Sequence, residues 1–311
     1  MTSRARRIRR FFLLGGLAVA LGGSVIGWVL SAPHPAFSEE EAAELDRLGD
    51  AVRGGVVFDA AGCASCHASP GQPDRHRLGG GLALASPFGT FHVPNISPDP
   101  EDGIGGWRTI DLANAVMSGV SPDRRHYYPA LPYVDYAHMQ VEDLRDLTAY
   151  LRTLPPVRNR TPPRELPFPL TIRRLVGFWK LLYFDRSPSA AEPSNSSPWS
   201  RGHYLVEALG HCAECHSSRN LLGAIEPSTR FAGGPDQEGV GFVPNITPFG
   251  IGNWSEDDIQ RTLHDGLTPG GRAIGSTMAD IVTDIAALPQ SDQKAIAVYI
   301  KSLPSRPTPS P

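Results

Sequence analysis

Sulfur is scarce in this chain. Its 311 residues contain four cysteines and four methionines, and the cysteines fall in two motifs of one form, Cys63-Ala64-Ser65-Cys66-His67 and Cys212-Ala213-Glu214-Cys215-His216. No cysteine stands outside them, so none remains for a disulfide framework. A structural zinc site is poorly served as well. Paired C-x-x-C ligands of one zinc stand about 15–20 residues apart, whereas 145 residues separate Cys66 from Cys212. A basic surface is also missing. The formal charge is −3, and five of the 29 basic residues, Arg4, Arg6, Arg7, Arg9 and Arg10, crowd the first ten positions. The rest of the chain sets 24 basic against 32 acidic residues, which argues against nucleic acid and suits a basic docking partner. Long regular elements are limited by 32 glycines and 30 prolines, while the apolar fraction of 41% is close to that of a folded protein.

What the sequence does hold is a motif for covalent haem. In C-x-x-C-H the two thiols reach the vinyl groups of one haem as thioethers, and the histidine that follows lies against the iron as proximal ligand. Cys63, Cys66, Cys212 and Cys215 are the expected anchors, His67 and His216 the expected proximal ligands, and two haem c groups the expected cofactors.

The two motifs sit in two copies of one pattern, their first cysteines 149 positions apart. Arg53-Gly54 matches Arg201-Gly202. Val93-Pro94-Asn95-Ile96-Ser97-Pro98 returns as Val243-Pro244-Asn245-Ile246-Thr247-Pro248, and Gly103-Ile104-Gly105-Gly106-Trp107 as Gly250-Ile251-Gly252-Asn253-Trp254. Each copy closes on a helix. Leu147, Tyr150, Leu151 and Leu154 match Ile296, Tyr299, Ile300 and Leu303 at the i, i+3, i+4, i+7 spacing of one apolar face, stopped by Pro155 and Pro304. Two domains result, 37–157 and 199–305, the number this length allows. Residues 158–198 between them are rich in proline and serine and contain an apolar stretch, Leu175 to Phe184. They read as a semi-rigid spacer around a helix packed across the two domains, with a docking surface for a redox partner as the alternative. The proline-rich tail 306–311 is expected to be disordered.

Residues 1–36 read as an export segment: five arginines, then a charge-free apolar run from Phe11 to Ala32. That run is long for a cleaved signal and sufficient for a membrane span, and Leu30-Ser31-Ala32-Pro33 fits the small-x-small cleavage pattern poorly. An uncleaved anchor is expected, with the arginines inside and the remainder outside the inner membrane. Ser38 and Glu41 then form a capping box, which predicts a helix running towards Gly54.

Each iron also needs a sixth ligand. A methionine sulfur opposite the histidine closes the site and raises its potential, which suits electron transfer. Met278, between the Gly266–Gly271 loop and the closing helix, is the expected axial ligand of the second haem, on a strand of chain folded over the haem face. The first domain differs. Aligning Gly119-Val120-Ser121-Pro122 with Gly266-Leu267-Thr268-Pro269 sets Leu131 opposite Met278, and sets Met117 opposite His264 at a core position. Met139 is then the axial candidate for the first haem, with His126, His138 and an open iron as alternatives. Arg124, Arg125 and His126 stand in a hydrophilic stretch, read as a solvated loop.

These motifs, with Tyr128-Pro129-Ala130-Leu131-Pro132-Tyr133 and Arg201-Gly202-His203-Tyr204-Leu205-Val206, resemble the multihaem cytochrome c subunits of bacterial membrane-bound alcohol and sugar dehydrogenases over about residues 40 to 305. The resemblance implies an all-α protein of two tandem class I cytochrome c-like domains behind an N-terminal anchor or signal helix. It implies no catalytic residues but an electron-transfer role on the periplasmic side of the inner membrane. The donor would be a periplasmic or membrane dehydrogenase subunit and the acceptor an oxidase, a quinone or a soluble cytochrome of the respiratory chain. Many relatives have methionine where this chain has Leu131, and many have three domains rather than two. Leu131 therefore keeps a second reading open: a dihaem enzyme of peroxidase or thiosulfate-oxidising type, with an open or unusually ligated first haem.

Overall fold

The computed structural model describes residues 3–186, 197–237 and 241–310. Residues 187–196 of the expected linker, Pro311 of the tail and the side chains of the N-terminal arginines lie outside the described residues.

The charge-free run forms most of α1 (Ser3–Leu30), which is long and apolar enough over Phe12–Leu30 to cross a membrane. The capping box at Ser38 is present, but it opens only a 3-10 turn and a single helical turn, α2 (Ala42–Leu45), not a helix through to Gly54. The break falls where the chain passes close to a later helix. A Cβ at Gly49 would lie 2.2 Å from the Arg145 carbonyl oxygen, and the helix restarts at Asp50, whose carboxylate accepts from the Val52 and Arg53 amides.

From there α3 (Ala51–Ala60) leads into α4 (Cys63–His67). A hairpin follows, β1 (Ala83–Ser86) paired antiparallel with β2 (Gly89–His92). Next come α5 (Thr109–Ser118), the short α6 (Tyr133–Tyr136) and α7 (Val141–Leu151). Then α8 (Leu175–Tyr183) opens the connection to the second half. That half repeats the order: α9 (Pro198–His203) continued by a π-type turn Tyr204–Leu209, strands β3 (Gly234–Pro235) and β4 (Phe242–Val243), α10 (Pro248–Ile251), α11 (Glu256–Asp265), α12 (Thr277–Ala287) and α13 (Gln290–Ser302). The protein is helical as expected, with two small two-stranded ribbons added.

Each half is built on one close helix crossing. A Cβ at Gly54 of α3 would lie 1.9 Å from the Asp146 carbonyl oxygen on α7, and one at Gly202 of α9 would lie 2.0 Å from the Ala295 carbonyl oxygen on α13. Only glycine lets the backbones approach so far. The arginine beside each glycine then ties the crossing, Arg53 Nε to Asp146 Oδ2 at 2.7 Å and Arg201 to Asp292 through Nε at 3.1 Å and Nη2 at 2.7 Å. The apolar faces predicted for α7 and α13 are the ones the crossing buries.

Two expectations need correction. The stretch after α7 is no free spacer: Asn95 Nδ2 donates to the Val157 carbonyl at 2.7 Å, Asn159 Nδ2 to the Gly79 carbonyl at 2.8 Å, and Glu165 pairs with Thr90 beside β2. The tail after α13 is ordered in the same way, with Asn245 Nδ2 donating to the Arg306 carbonyl at 2.9 Å and to Thr308 Oγ1 at 3.0 Å. An extended, proline-rich strand has no internal hydrogen bonds, so its carbonyls are free to accept these amides.

The halves touch closely. Tyr204 Oη donates to Asp143 Oδ2 at 2.6 Å and accepts from the Gln140 amide at 3.0 Å. Helix α12 packs on α3 and α4, held by an Arg75–Asp284 ion pair at 2.8 Å. Helix α8 bridges both halves: Lys180 Nζ donates to the carbonyls of Ser118 and Gly119, and Trp179 Nε1 donates to the Leu222 carbonyl.

Candidate functional site

The two C-x-x-C-H motifs occupy equivalent places, each one turn after the crossing helix. The first forms α4 and is entered through Gly62 in the left-handed region, φ +59°. The second begins with a 3-10 turn, Cys212–Glu214, entered through His211 at φ +39°, an uncommon conformation for a side chain of that size. Ala64 and Ala213 in the motif centres are buried. Burial pushes the Cys212 thiol up to about 12 and the Cys63 thiol higher still.

The histidines share one hydrogen bond that the sequence reading did not name. His67 Nδ1 lies 2.8 Å from the Pro94 carbonyl oxygen, and His216 Nδ1 lies 2.8 Å from the Pro244 carbonyl oxygen. A carbonyl only accepts, so Nδ1 carries the proton and Nε2 keeps its lone pair for a metal. Burial lowers the pKa of both histidines, partly opposed by the proline carbonyls, and this favours the neutral imidazole a metal needs. Both carbonyls are held by the residue that follows. Asn95 Oδ1 accepts from the Ser97 amide, and Asn245 Oδ1 from the Thr247 amide. This is the role of the repeated Val-Pro-Asn-Ile segment, and its recurrence behind each motif was the signal available in the sequence.

The sulfurs are placed differently in the two halves. Met278 lies in the first turn of α12, half-buried against the core. The register that sets Leu131 opposite Met278 is visible in matching turns: the Tyr127 amide donates to Gly119 and the Ile274 amide to Gly266, both at 2.8 Å. Leu131 packs half-buried on the core. Met139 is buried at 4% exposure just ahead of the α7 cap, where Leu288, also at 4%, stands ahead of α13. Met117 is buried on α5, as expected of a core residue.

The histidine alternatives differ in their surroundings. His126 is not in a solvated loop: it is 2% exposed, with Nε2 3.0 Å from the Ser31 carbonyl oxygen at the end of α1. His138 is half-buried, while Arg124 and Arg125 are exposed, the latter paired with Asp123.

The two motifs meet across the middle of the molecule. Tyr136 Oη on α6 donates to the Ala61 carbonyl at 2.9 Å, two residues before Cys63, and the His211 ring stands edge-on to Tyr136 at 5.5 Å. A cluster of charge that the sequence did not reveal lies beside this contact. Arg230 pairs with Glu207 and stands 3.8 Å from Asp135, and Tyr299 Oη donates to Glu207 at 2.6 Å. Burial and the nearby Glu214 hold Asp135 well above the usual carboxylate range.

Comparison with known proteins agrees with this geometry. The family described as Cytochrome c matches residues 51–155. A protein named diheme cytochrome c-type from Cereibacter sphaeroides is 46% identical over 296 residues, covering 94% of this chain and 98% of the relative. The fructose dehydrogenase cytochrome subunit of Gluconobacter japonicus is 37% identical over 259 residues, 82% of this chain and 52% of that subunit. The cytochrome c subunit of the quinone alcohol dehydrogenase of Gluconobacter oxydans is 33% identical over 268 residues, 82% of this chain and 55% of that subunit. The chain thus spans almost all of the first relative and about half the length of the other two. With two C-x-x-C-H motifs, each histidine aimed by a proline carbonyl, the chain belongs to the dihaem c-type cytochromes and binds two haem c groups covalently.

Proposed function

We propose that this electron-transfer cytochrome is a two-domain relay held at the periplasmic face of the inner membrane by α1. It takes electrons from a dehydrogenase partner and passes them singly to an oxidase, a quinone or a soluble cytochrome. The domains are 37–157 and 199–305. The haems supply the one-electron iron couple, and the chain's residues attach, orient and shield them. Cys63 and Cys66, and Cys212 and Cys215, are the thioether anchors, with His67 and His216 as proximal ligands. Met278 is the sulfur ligand of the second haem and Met139 that of the first. The observation that carries this reading is the pair of histidine–proline carbonyl bonds of equal length, which prepares both halves for the same ligation. A dehydrogenase partner is supported by the relatives named as dehydrogenase subunits, and the anchor by the exposed apolar surface of α1 where its side chains are described.

The test is carbon monoxide binding to the reduced protein, followed by absorbance. A sulfur-closed iron takes CO poorly and an open one takes it at once. Absence of binding at either haem is the expected result. Stoichiometric binding at one haem would leave the first site open opposite Leu131 and turn the reading towards a dihaem enzyme.

A further inference from the structure

Helix α8 is amphipathic in the reverse of the usual sense. Its buried face holds Val176, Gly177 and Lys180, while Leu175, Phe178, Leu181 and Leu182 face outward, the last two 56% and 67% exposed. A soluble surface helix hides its leucines and shows its lysine. Lys180 is spent internally on the Ser118 and Gly119 carbonyls, at 2.7 and 2.8 Å. The apolar face continues sideways: Trp179 Nε1 bonds the Leu222 carbonyl at 2.9 Å, and Leu221 and Leu222 project from that turn into the open.

The position of this face decides what it meets. α8 is docked on the last turns of α1: the Phe178 ring comes within 3.4 Å of a Cβ built at Gly27, Gly177 lies against the Ser31 carbonyl, and the Arg174 guanidinium stands 4.2 Å above the Trp28 ring while bonding the Trp28 carbonyl. If α1 crosses the bilayer, these are its emerging turns, and a helix packed on them lies at the level of the headgroups. The charge agrees. Residues 158–186 carry seven basic and two acidic side chains, while the rest of the chain beyond Ala32 carries 17 basic and 30 acidic. A local excess of five positive charges on a strongly acidic body matches an anionic lipid surface.

We propose that α8, with the Leu221-Leu222 turn beside it, is a second membrane contact that lies flat in the lipid headgroup layer and fixes the orientation of the haem-bearing body on the bilayer. The proposal rests on the reading of α1 as a membrane anchor. A body held through α1 alone would tilt with that helix in the bilayer. One seated on α8 presents a constant face to its redox partners.

The haem-loaded full chain, reconstituted in phosphatidylethanolamine–phosphatidylglycerol vesicles, provides the test. Thioether bonds consume all four native cysteines, so Leu182→Cys, Val25→Cys on α1 and Lys294→Cys on the exposed side of α13 each carry one free thiol for a nitroxide label. Accessibility to dissolved oxygen and to a water-soluble nickel chelate is then read by electron paramagnetic resonance. The expected result is that the labels at 182 and 25 are both relaxed by oxygen and shielded from nickel, while the label at 294 is open to nickel. A label at 182 as open to nickel as that at 294, with 25 still shielded, overturns the proposal and leaves the anchor intact. Nickel access at both 25 and 182 overturns the anchor reading and this one with it. Should the Leu182 variant lose haem, Leu181→Cys on the same face replaces it.

Discussion

The two halves share the helix crossing and the histidine bond and part company in the segments that follow. Up to the proximal histidine they match: a glycine-mediated crossing, an arginine beside it, and a proline carbonyl 2.8 Å from each Nδ1. Beyond it, the second half presents Met278 at the start of an eleven-residue helix, whereas the first has Leu131 and the four-residue α6. Met139 stands where the second half has Leu288. The histidine side is thus the shared scaffold, and the segments proposed to supply the sixth ligands are where the two halves differ.

The largest effect that would sharpen this contrast is loss of a cofactor. Removing both thiols of one motif, by Cys63→Ser with Cys66→Ser or Cys212→Ser with Cys215→Ser, should lower covalent haem from two to one per chain, measured by haemochrome absorbance after denaturation; two haems retained in either double variant would refute the assignment of anchors. Next comes the distal sulfur. Met278→Leu should abolish the sulfur-to-ferric-iron band of the second haem and lower its potential by a few tenths of a volt, within the roughly 0.8 V that axial ligands span. Met139→Leu should do the same for the first haem in redox titration. An unchanged titration in Met139→Leu would make Met139 the core counterpart of Leu288 and separate the two sites fully.

Smaller effects test the shared scaffold. Gly54→Ala and Gly202→Ala place a methyl inside a carbonyl contact and should each cost about 1–3 kcal/mol in denaturant unfolding of the holoprotein, to a similar extent in both halves. Asp284, at the join between α12 and the first motif, tests how the halves are joined. Burial raises its pKa to about 6 despite Arg75. Its folded value lies above the unfolded one, so it costs stability above pH 6, and that cost is relieved as pH falls through the folded value towards about 4. The corresponding slope of stability against pH should flatten in Asp284→Asn. The smallest change is expected of His211→Gly. Relief of the left-handed backbone, about 1–2 kcal/mol, is offset by loss of the ring's edge-on contact with Tyr136, and a melting temperature close to that of the native protein is the expected result.

Much of the scaffold was legible because it is written in local pattern. The C-x-x-C-H motifs, the repeated Val-Pro-Asn-Ile segment and the four-residue apolar faces of α7 and α13 each sit within a few positions of one another. What was not legible depends on distant neighbours. His126 looked solvated because its flanking residues are polar, yet it is buried by the end of α1, 95 residues earlier. The tail looked disordered because proline forms no internal structure, but the Asn245 amide needs a carbonyl and finds Arg306. The helix expected from Ser38 stops short of Gly49, where the chain comes against α7. In each case a tertiary contact overrode a correct local rule.

The Ala61 carbonyl, which accepts from Tyr136 Oη while the His211 ring stands edge-on to that tyrosine, has one more consequence. It makes the two attachment motifs neighbours: from Cys63 back through Gly62 to Ala61, across one hydrogen bond to Tyr136, and over a ring contact to His211 and Cys212. The proposed relay between the halves then requires no swing of one towards the other. Folding itself sets the two attachment points side by side.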